Sequence, residues 1–113
     1  MTAHARLDGL FEAWRAGDAL RAAAYFAVDG IYREAGREPI VGRDAIVAFF
    51  TRFFRDGPRF RFDRDLAIVE GDFAAVEYRF AMQGLDGEMH ERAGCAIVTF
   101  VDGTIAAWRE YGI

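Results

Sequence analysis

The stretch Asp102-Gly103-Thr104-Ile105-Ala106-Ala107-Trp108-Arg109-Glu110-Tyr111 decides how the chain is read. Asp-Gly is a turn signal, and the residues after it suit a short strand. A strand alternates its side chains, so Trp108 and Glu110 share one face while Arg109 and Tyr111 share the other. A carboxylate beside an indole on a buried-looking strand is costly unless it is paired or put to use. Glu110 is therefore a candidate site residue on elementary grounds.

Upstream of this strand the chain keeps the same two-residue period. Arg59 to Glu70 carries Phe60, Phe62, Leu66 and Ile68. After a turn at Gly71-Asp72, Phe73 to Gln83 forms a long strand. Asp86-Gly87 is a hairpin signal, and Glu88 to Val101 forms the next strand. The first half of the chain has helical periods instead. From about Ala3 to Ala16, Leu7, Leu10, Phe11 and Trp14 form one apolar stripe, which Gly17 ends. Asp18 is a suitable N-cap for a short alanine-rich helix over about Ala19 to Tyr25. Asp29-Gly30 reads as a turn, Ile31 to Glu34 as a short strand with Tyr32 and Glu34 on one face, and Gly36 to Pro39 as a loop. Gly42-Arg43-Asp44 opens a third helix with Ile46, Phe49, Phe50, Phe53 and Phe54 on one side. Asp56-Gly57-Pro58 stops it. Three helices followed by an antiparallel meander predict an α+β fold with helices on one face of a curved sheet.

The composition narrows the function. A chain of 113 residues with 53% hydrophobic content is expected to form one domain over 1–113 with a real core. Its 11 phenylalanines suit a broad core, a cavity lining or a subunit interface. A net charge of −4, with arginines interleaved among carboxylates, argues against a nucleic-acid partner. No apolar run approaches ~18 residues, so no membrane span is expected. The single cysteine, Cys95, allows no internal disulfide, suits a reducing, cytoplasmic compartment, and is expected to be a small buried residue. His90 stands among charged residues with no second histidine nearby, so no metal site and no cofactor are expected.

Four short markers run through the chain in order: Trp14-Arg15-Ala16-Gly17-Asp18, Tyr25-Phe26-Ala27-Val28-Asp29-Gly30-Ile31-Tyr32, Val41-Gly42-Arg43-Asp44-Ala45-Ile46, and the closing strand. Together they resemble the NTF2-like, or SnoaL-like, proteins, which include limonene epoxide hydrolase and ketosteroid isomerase. The resemblance implies a cystatin-like cone: three N-terminal helices packed on a strongly curved antiparallel sheet around a pocket. Against limonene epoxide hydrolase, Tyr32, Arg79 and Glu110 fall at functional positions and Glu34 at that of an asparagine. Its remaining Asp falls at Ala81, so the acid that protonates the epoxide is missing. Against ketosteroid isomerase, Glu34 falls at the base, whereas the two oxyanion donors fall at about Leu10 and Ala96. Losing even one such donor typically costs ~3 kcal/mol of transition-state stabilisation. Neither catalytic set is complete.

These implications converge on a pocket for a small apolar or cyclic molecule. Its polar end is expected to consist of Tyr32, Glu34, Arg79 and Glu110, with Trp14 and Trp108 as ligand-binding walls. Glu34 or Glu110 is then a base and Arg79 an orienting group, in a cofactor-free hydrolase, isomerase or dehydratase. The alternative is a non-catalytic dimeric binding or adaptor module with a filled pocket. Several residues have plainer roles open to them. Glu34 could be solvated at a strand end and Arg79 and Glu77 could form a surface pair, while the Phe-rich helix is expected to be core packing. The face of strand 73–83 is ambiguous. Hydrophobicity sends Val76, Tyr78, Phe80 and Met82 inward, whereas the resemblance sends Glu77 and Arg79 inward. The second choice leaves an apolar face bare and so implies a homodimer covering it.

Overall fold

The structure, a computed structural model, describes residues 1–112; Ile113 lies outside the described residues. Helix α1 (Ala3–Arg15) starts at Thr2, whose hydroxyl accepts from the Ala5 N–H at 3.0 Å. It ends at Gly17, whose φ of +68° is open to glycine at no steric cost. Asp18 caps α2 (Ala19–Ala23) by accepting from the Arg21 N–H at 3.1 Å. Strand β1 (Phe26–Arg33) and the two-residue β2 (Ile40–Val41) precede α3 (Arg43–Asp56). The chain then runs back and forth through β3 (Phe60–Glu70), β4 (Phe73–Gln83), β5 (Met89–Val101) and β6 (Thr104–Gly112). The Asp102-Gly103 turn joins β5 to β6 with positive φ at both residues, 51° and 78°. That backbone twist matches the twist of the two strands it connects.

The fold is α+β, as expected, but the sheet is mixed. Its strand order is β2-β1-β6-β5-β4-β3, and β1 runs parallel to its neighbour β6. All the other pairings are antiparallel. Strand β2, helix α3 and the rest of the meander intervene between β1 and β6, a connection long enough for the chain to return beside β1 in the same direction. Strand β1 begins at Phe26, earlier than the sequence suggests, because Asp29-Gly30 makes a bulge and not a turn. The register slips between Phe26 and Ile31. Gly30 is buried there, and a Cβ would lie 2.9 Å from the Ala27 carbonyl oxygen and 3.0 Å from that of Ile105. Only glycine lets the two neighbouring backbones approach so closely.

One aromatic core fills the space between the helices and the inner face of the sheet. Leu7, Leu10, Phe11 and Trp14 of α1 meet Val76, Val98, Ile105 and Trp108 of the sheet, and all are buried. Trp14 sits edge-on to Trp108 with ring centroids 5.1 Å apart, a favoured aromatic geometry. Arg43 at the start of α3 donates two hydrogen bonds, 2.9 and 2.7 Å, to the Phe26 carbonyl, fixing α3 to β1.

The face of β4 follows hydrophobicity, which corrects the assignment drawn from the resemblance. Val76 and Tyr78 are buried inside, while Glu77 and Arg79 are exposed. The apolar stripe that motivated a dimer is therefore the inner wall, and the helices cover it. Val76→Ala should lower stability by about 2 kcal/mol or more through lost burial and a residual cavity. Glu77→Ala should stay within about 0.5 kcal/mol of the parent. Urea unfolding midpoints with unchanged m-values check both, and equal effects would reverse the face assignment.

Candidate functional site

Alternation along β6 and parallel pairing with β1 build the polar end of the site. Tyr32 lies in register with Trp108, so the phenol and the indole stand side by side on the inner face. Glu110, two residues on, shares that face. Its Oε2 accepts a hydrogen bond from the Trp108 indole N–H at 3.0 Å and a longer one from the Tyr32 hydroxyl at 3.3 Å. On β5 the residue in register with Glu110 is Ala96, and the one in register with Tyr78 is Gly94. These small residues leave room for a carboxyl group and a phenol side by side. The Tyr78 hydroxyl faces the same carboxyl and feels its charge, with a weaker effect on it than Trp108 and Tyr32 have.

The apolar walls come largely from α3. Phe49, Phe50, Phe53 and Phe54 project from two successive turns towards β3 and β4, where Phe62 and Phe80 stack with centroids 4.6 Å apart. With Trp14, Tyr32, Glu34, Tyr78 and Glu110 they enclose a cavity of about 80 Å³. Sequence reasoning treated the α3 phenylalanines as plain core. Their helical stripe looks identical whether it faces other side chains or a cavity, so only the tertiary placement distinguishes the two.

Burial governs the charges. It pushes the Glu110 carboxyl from an ordinary 4.5 up to about 7; the hydrogen bonds from Trp108 and Tyr32 oppose the rise, and the Glu34 charge adds to it. Glu34 is also raised by burial, against the pull of the Arg37 guanidinium. Tyr32 is raised well above its usual value, first by burial and then by the charges of Glu110 and Glu34. Burial raises Tyr78 as well. The two phenols therefore remain hydrogen-bond donors near neutrality, while Glu110 exchanges a proton there.

The structure brings Trp14, Tyr32, Glu34 and Glu110 together on one cavity. It does not bring Arg79 there. Arg79 points to the opposite face of the sheet, where its guanidinium meets the Asp65 carboxylate at 3.0 Å in a forked, exposed pair. None of Glu34, Glu77 and Glu110 is its partner. The surface-pair alternative thus describes Arg79 better than the site role, with Asp65 in place of Glu77. Trp108 is fully buried behind the cavity and reaches it only through Glu110. Cys95 is half-buried on the outer face. Among the described residues no group of three or more His, Cys, Asp or Glu side chains stands close enough to hold a metal ion. His90 instead pairs with Asp86 in the exposed β4–β5 loop, at 3.0 Å.

A carboxyl raised on folding makes stability depend on pH. For Glu110 the folded value lies above the unfolded one. Its contribution is therefore complete below about 4.5 and is lost as pH rises through about 7. We expect a loss of about 2–3 kcal/mol across that window, given that the carboxyl is not wholly buried. Glu110→Gln should flatten the profile. Glu34 adds a slope of the same sign, so thermal unfolding from pH 4 to 8 should compare Glu34→Gln with the double variant. A profile unchanged by Glu110→Gln would mean that the carboxyl is solvated.

Comparisons with known proteins agree on the architecture. A hypothetical protein from Catenulispora acidiphila, with a ketosteroid isomerase-like fold and in complex with trimethylamine, is 18% identical. That match covers 97% of this chain and 86% of the other, with a TM-score of 0.85. An uncharacterised cystatin-fold protein from Novosphingobium aromaticivorans is 13% identical over 98% of both chains, with a TM-score of 0.85. An LEH-like epoxide hydrolase from M. tuberculosis is 18% identical over 96% of this chain and 80% of its own, with a TM-score of 0.83. At these identities the likeness shows the fold alone. No curated protein matches the chain. The SnoaL-like domain model matches residues 7–108, nearly the whole length, and the chain therefore belongs to the SnoaL-like family.

Proposed function

We propose that this protein binds a small, largely apolar molecule against the α3 phenylalanines and transfers a proton on it without a cofactor. One observation carries the proposal. Glu110 sits at the end of an aromatic-walled cavity, hydrogen-bonded by Tyr32 and Trp108, with its carboxyl near half-protonation at neutral pH. A general acid or base works best when its pKa lies near the working pH. Glu34 supplies a second carboxyl on the same cavity, so one group can take a proton while the other returns it. Tyr78 is the hydrogen-bond donor closest at hand for a carbonyl or hydroxyl oxygen, since Tyr32 already gives its proton to Glu110. Arg79 has no part in this scheme. The reaction class is isomerisation, dehydration or hydrolysis. The epoxide hydrolase named above shares this fold, and here Glu110 lies across from Ala96, where the resemblance to ketosteroid isomerase places an oxyanion acid.

A second reading rests on the size of the cavity. About 80 Å³ is roughly half the ~150 Å³ that holds a benzene ring in an engineered protein cavity. A non-catalytic binding or adaptor module, with its pocket mostly filled by Phe side chains, suits that volume. In either case we infer a homodimer, now placed on the outer face of the sheet. Ile68, Phe73 and Tyr111 are more than half exposed there and Ile97 is partly covered. No helix is long and apolar enough to cross a membrane, and the free Cys95 suits the reducing, cytoplasmic compartment we infer.

Two measurements test these proposals. A panel of small cyclic ketones, epoxides and lactones should include at least one that the protein turns over or whose α-hydrogens it exchanges in D2O, followed by NMR. Glu110→Gln should slow that reaction by about 100-fold or more. A panel that yields no turnover and leaves Trp108 fluorescence unmoved in a Trp14→Phe background would favour the filled-pocket module. Light scattering at micromolar concentration should give about twice the 12.7 kDa chain mass. A clean monomer would dismiss the dimer.

A further inference from the structure

Strand register places a cationic group beside the aromatic cavity, on the face where Arg79 is absent. On β5, Arg92 lies in register with Phe80 and Gly94 with Tyr78. Residues in register on paired strands share a face, so Arg92 belongs to the inner side of the sheet. Its neighbour Glu91 turns to the outer side, where it pairs with Arg61 at 3.2 Å. Arg92 itself is exposed and, among the described residues, forms neither an ion pair nor a side-chain hydrogen bond.

Gly94 determines what lies beyond. A Cβ at that position would sit 2.7 Å from the Tyr78 hydroxyl oxygen and from the carbon that bears it. Glycine therefore lets the ring lie against the strand and leaves the space past it open. That space is a groove of about 430 Å³ between the Ala35-Gly36 loop and the ends of β4, β5 and β6. Tyr78 and Phe80 stand in the walls of both the groove and the inner cavity, so the two spaces adjoin at the same pair of rings. The groove's volume falls in the ~300–1,000 Å³ range of ligand sites, which the inner cavity alone does not reach. The Tyr78 ring stands in the groove wall, where a ligand ring can lie against it.

We propose that this groove holds a planar cyclic acid, with the ring against Tyr78 and Phe80 and its carboxylate on Arg92. The charges orient it: Glu34 and Glu110 at the inner end repel an anion, and Arg92 at the outer end attracts it. A guanidinium also fits a carboxylate as a two-pronged donor. The inference deepens the proton-transfer proposal and rests on it for the reaction, though not for the binding.

Paired NMR titrations with 2-naphthoate and its neutral carboxamide, 2-naphthamide, test it through the Ala93 and Gly94 amide signals. Naphthoate should shift both signals and bind more tightly than naphthamide. Arg92→Ala should weaken naphthoate about ten-fold or more and leave naphthamide within about two-fold, as expected for a charge-assisted hydrogen bond. Arg92→Lys should restore part of the loss. An equal loss for both compounds, or naphthoate shifts that miss Gly94, would overturn the inference. If Glu110→Gln removes turnover of a cyclic ketone while naphthoate binding ignores Arg92, only the anion site falls. Arg92-dependent binding with no turnover of any compound supports the anion site and removes the proton-transfer proposal instead.

Discussion

The hydrogen bond from the Trp108 indole to the Glu110 carboxylate is the constraint on which the site depends. A carboxyl set among phenylalanines would cost several kcal/mol if it stayed ionised and unpaired. The indole N–H and the Tyr32 hydroxyl offset part of that cost, and a raised pKa removes much of the remainder. The same bond joins core to site. Trp108 is wholly buried and packs against Trp14 and Phe11, so the geometry of the carboxyl is set by the packing of the first helix on the sheet. Stability and proton chemistry are coupled through one ring.

The parallel pairing of β1 with β6 makes this possible. It puts Tyr32 next to Trp108 and brings Glu34, just past the end of β1, towards the same cavity as Glu110. An antiparallel meander alone could not have brought residues so far apart in sequence side by side. Small residues on β5 finish the arrangement: Ala96 makes space across from Glu110, and Gly94 makes space for the Tyr78 ring. The polar cluster is thus assembled from β1, β4 and β6, with β5 shaped to admit it.

Filling distinguishes a pocket from a core, and here the two merge. The α3 phenylalanines pack closely enough to leave only a narrow inner cavity, yet a wider groove lies against the same Tyr78 and Phe80 rings. Phe49, Phe53 and Phe54 are only partly buried, unlike Phe50. Side chains of that kind, near a cavity mouth, can change rotamer at less cost than the close-packed rings behind them.

The sequence by itself determined the element types and most of their limits, because burial periodicity is a local property that each segment carries alone; the inner face of β4 it left ambiguous. Leu7, Leu10, Phe11 and Trp14 had to face a core, and Asp102-Gly103 had to turn. The sequence also marked Glu110, since a carboxylate two residues from Trp108 on one strand face is conspicuous without any partner in view. The resemblance, by contrast, misplaced Arg79, because motif position carries no information about which way a strand is turned. The bulge at Gly30, the two-residue β2 and the parallel β1–β6 pairing were not legible, since each depends on which backbones meet. Only the tertiary structure decided that Tyr78, Gly94 and Arg92 share the inner face of the sheet with Glu110. That neighbourhood is a matter of register between strands, and register is fixed by the whole sheet closing over its core, not by any one segment.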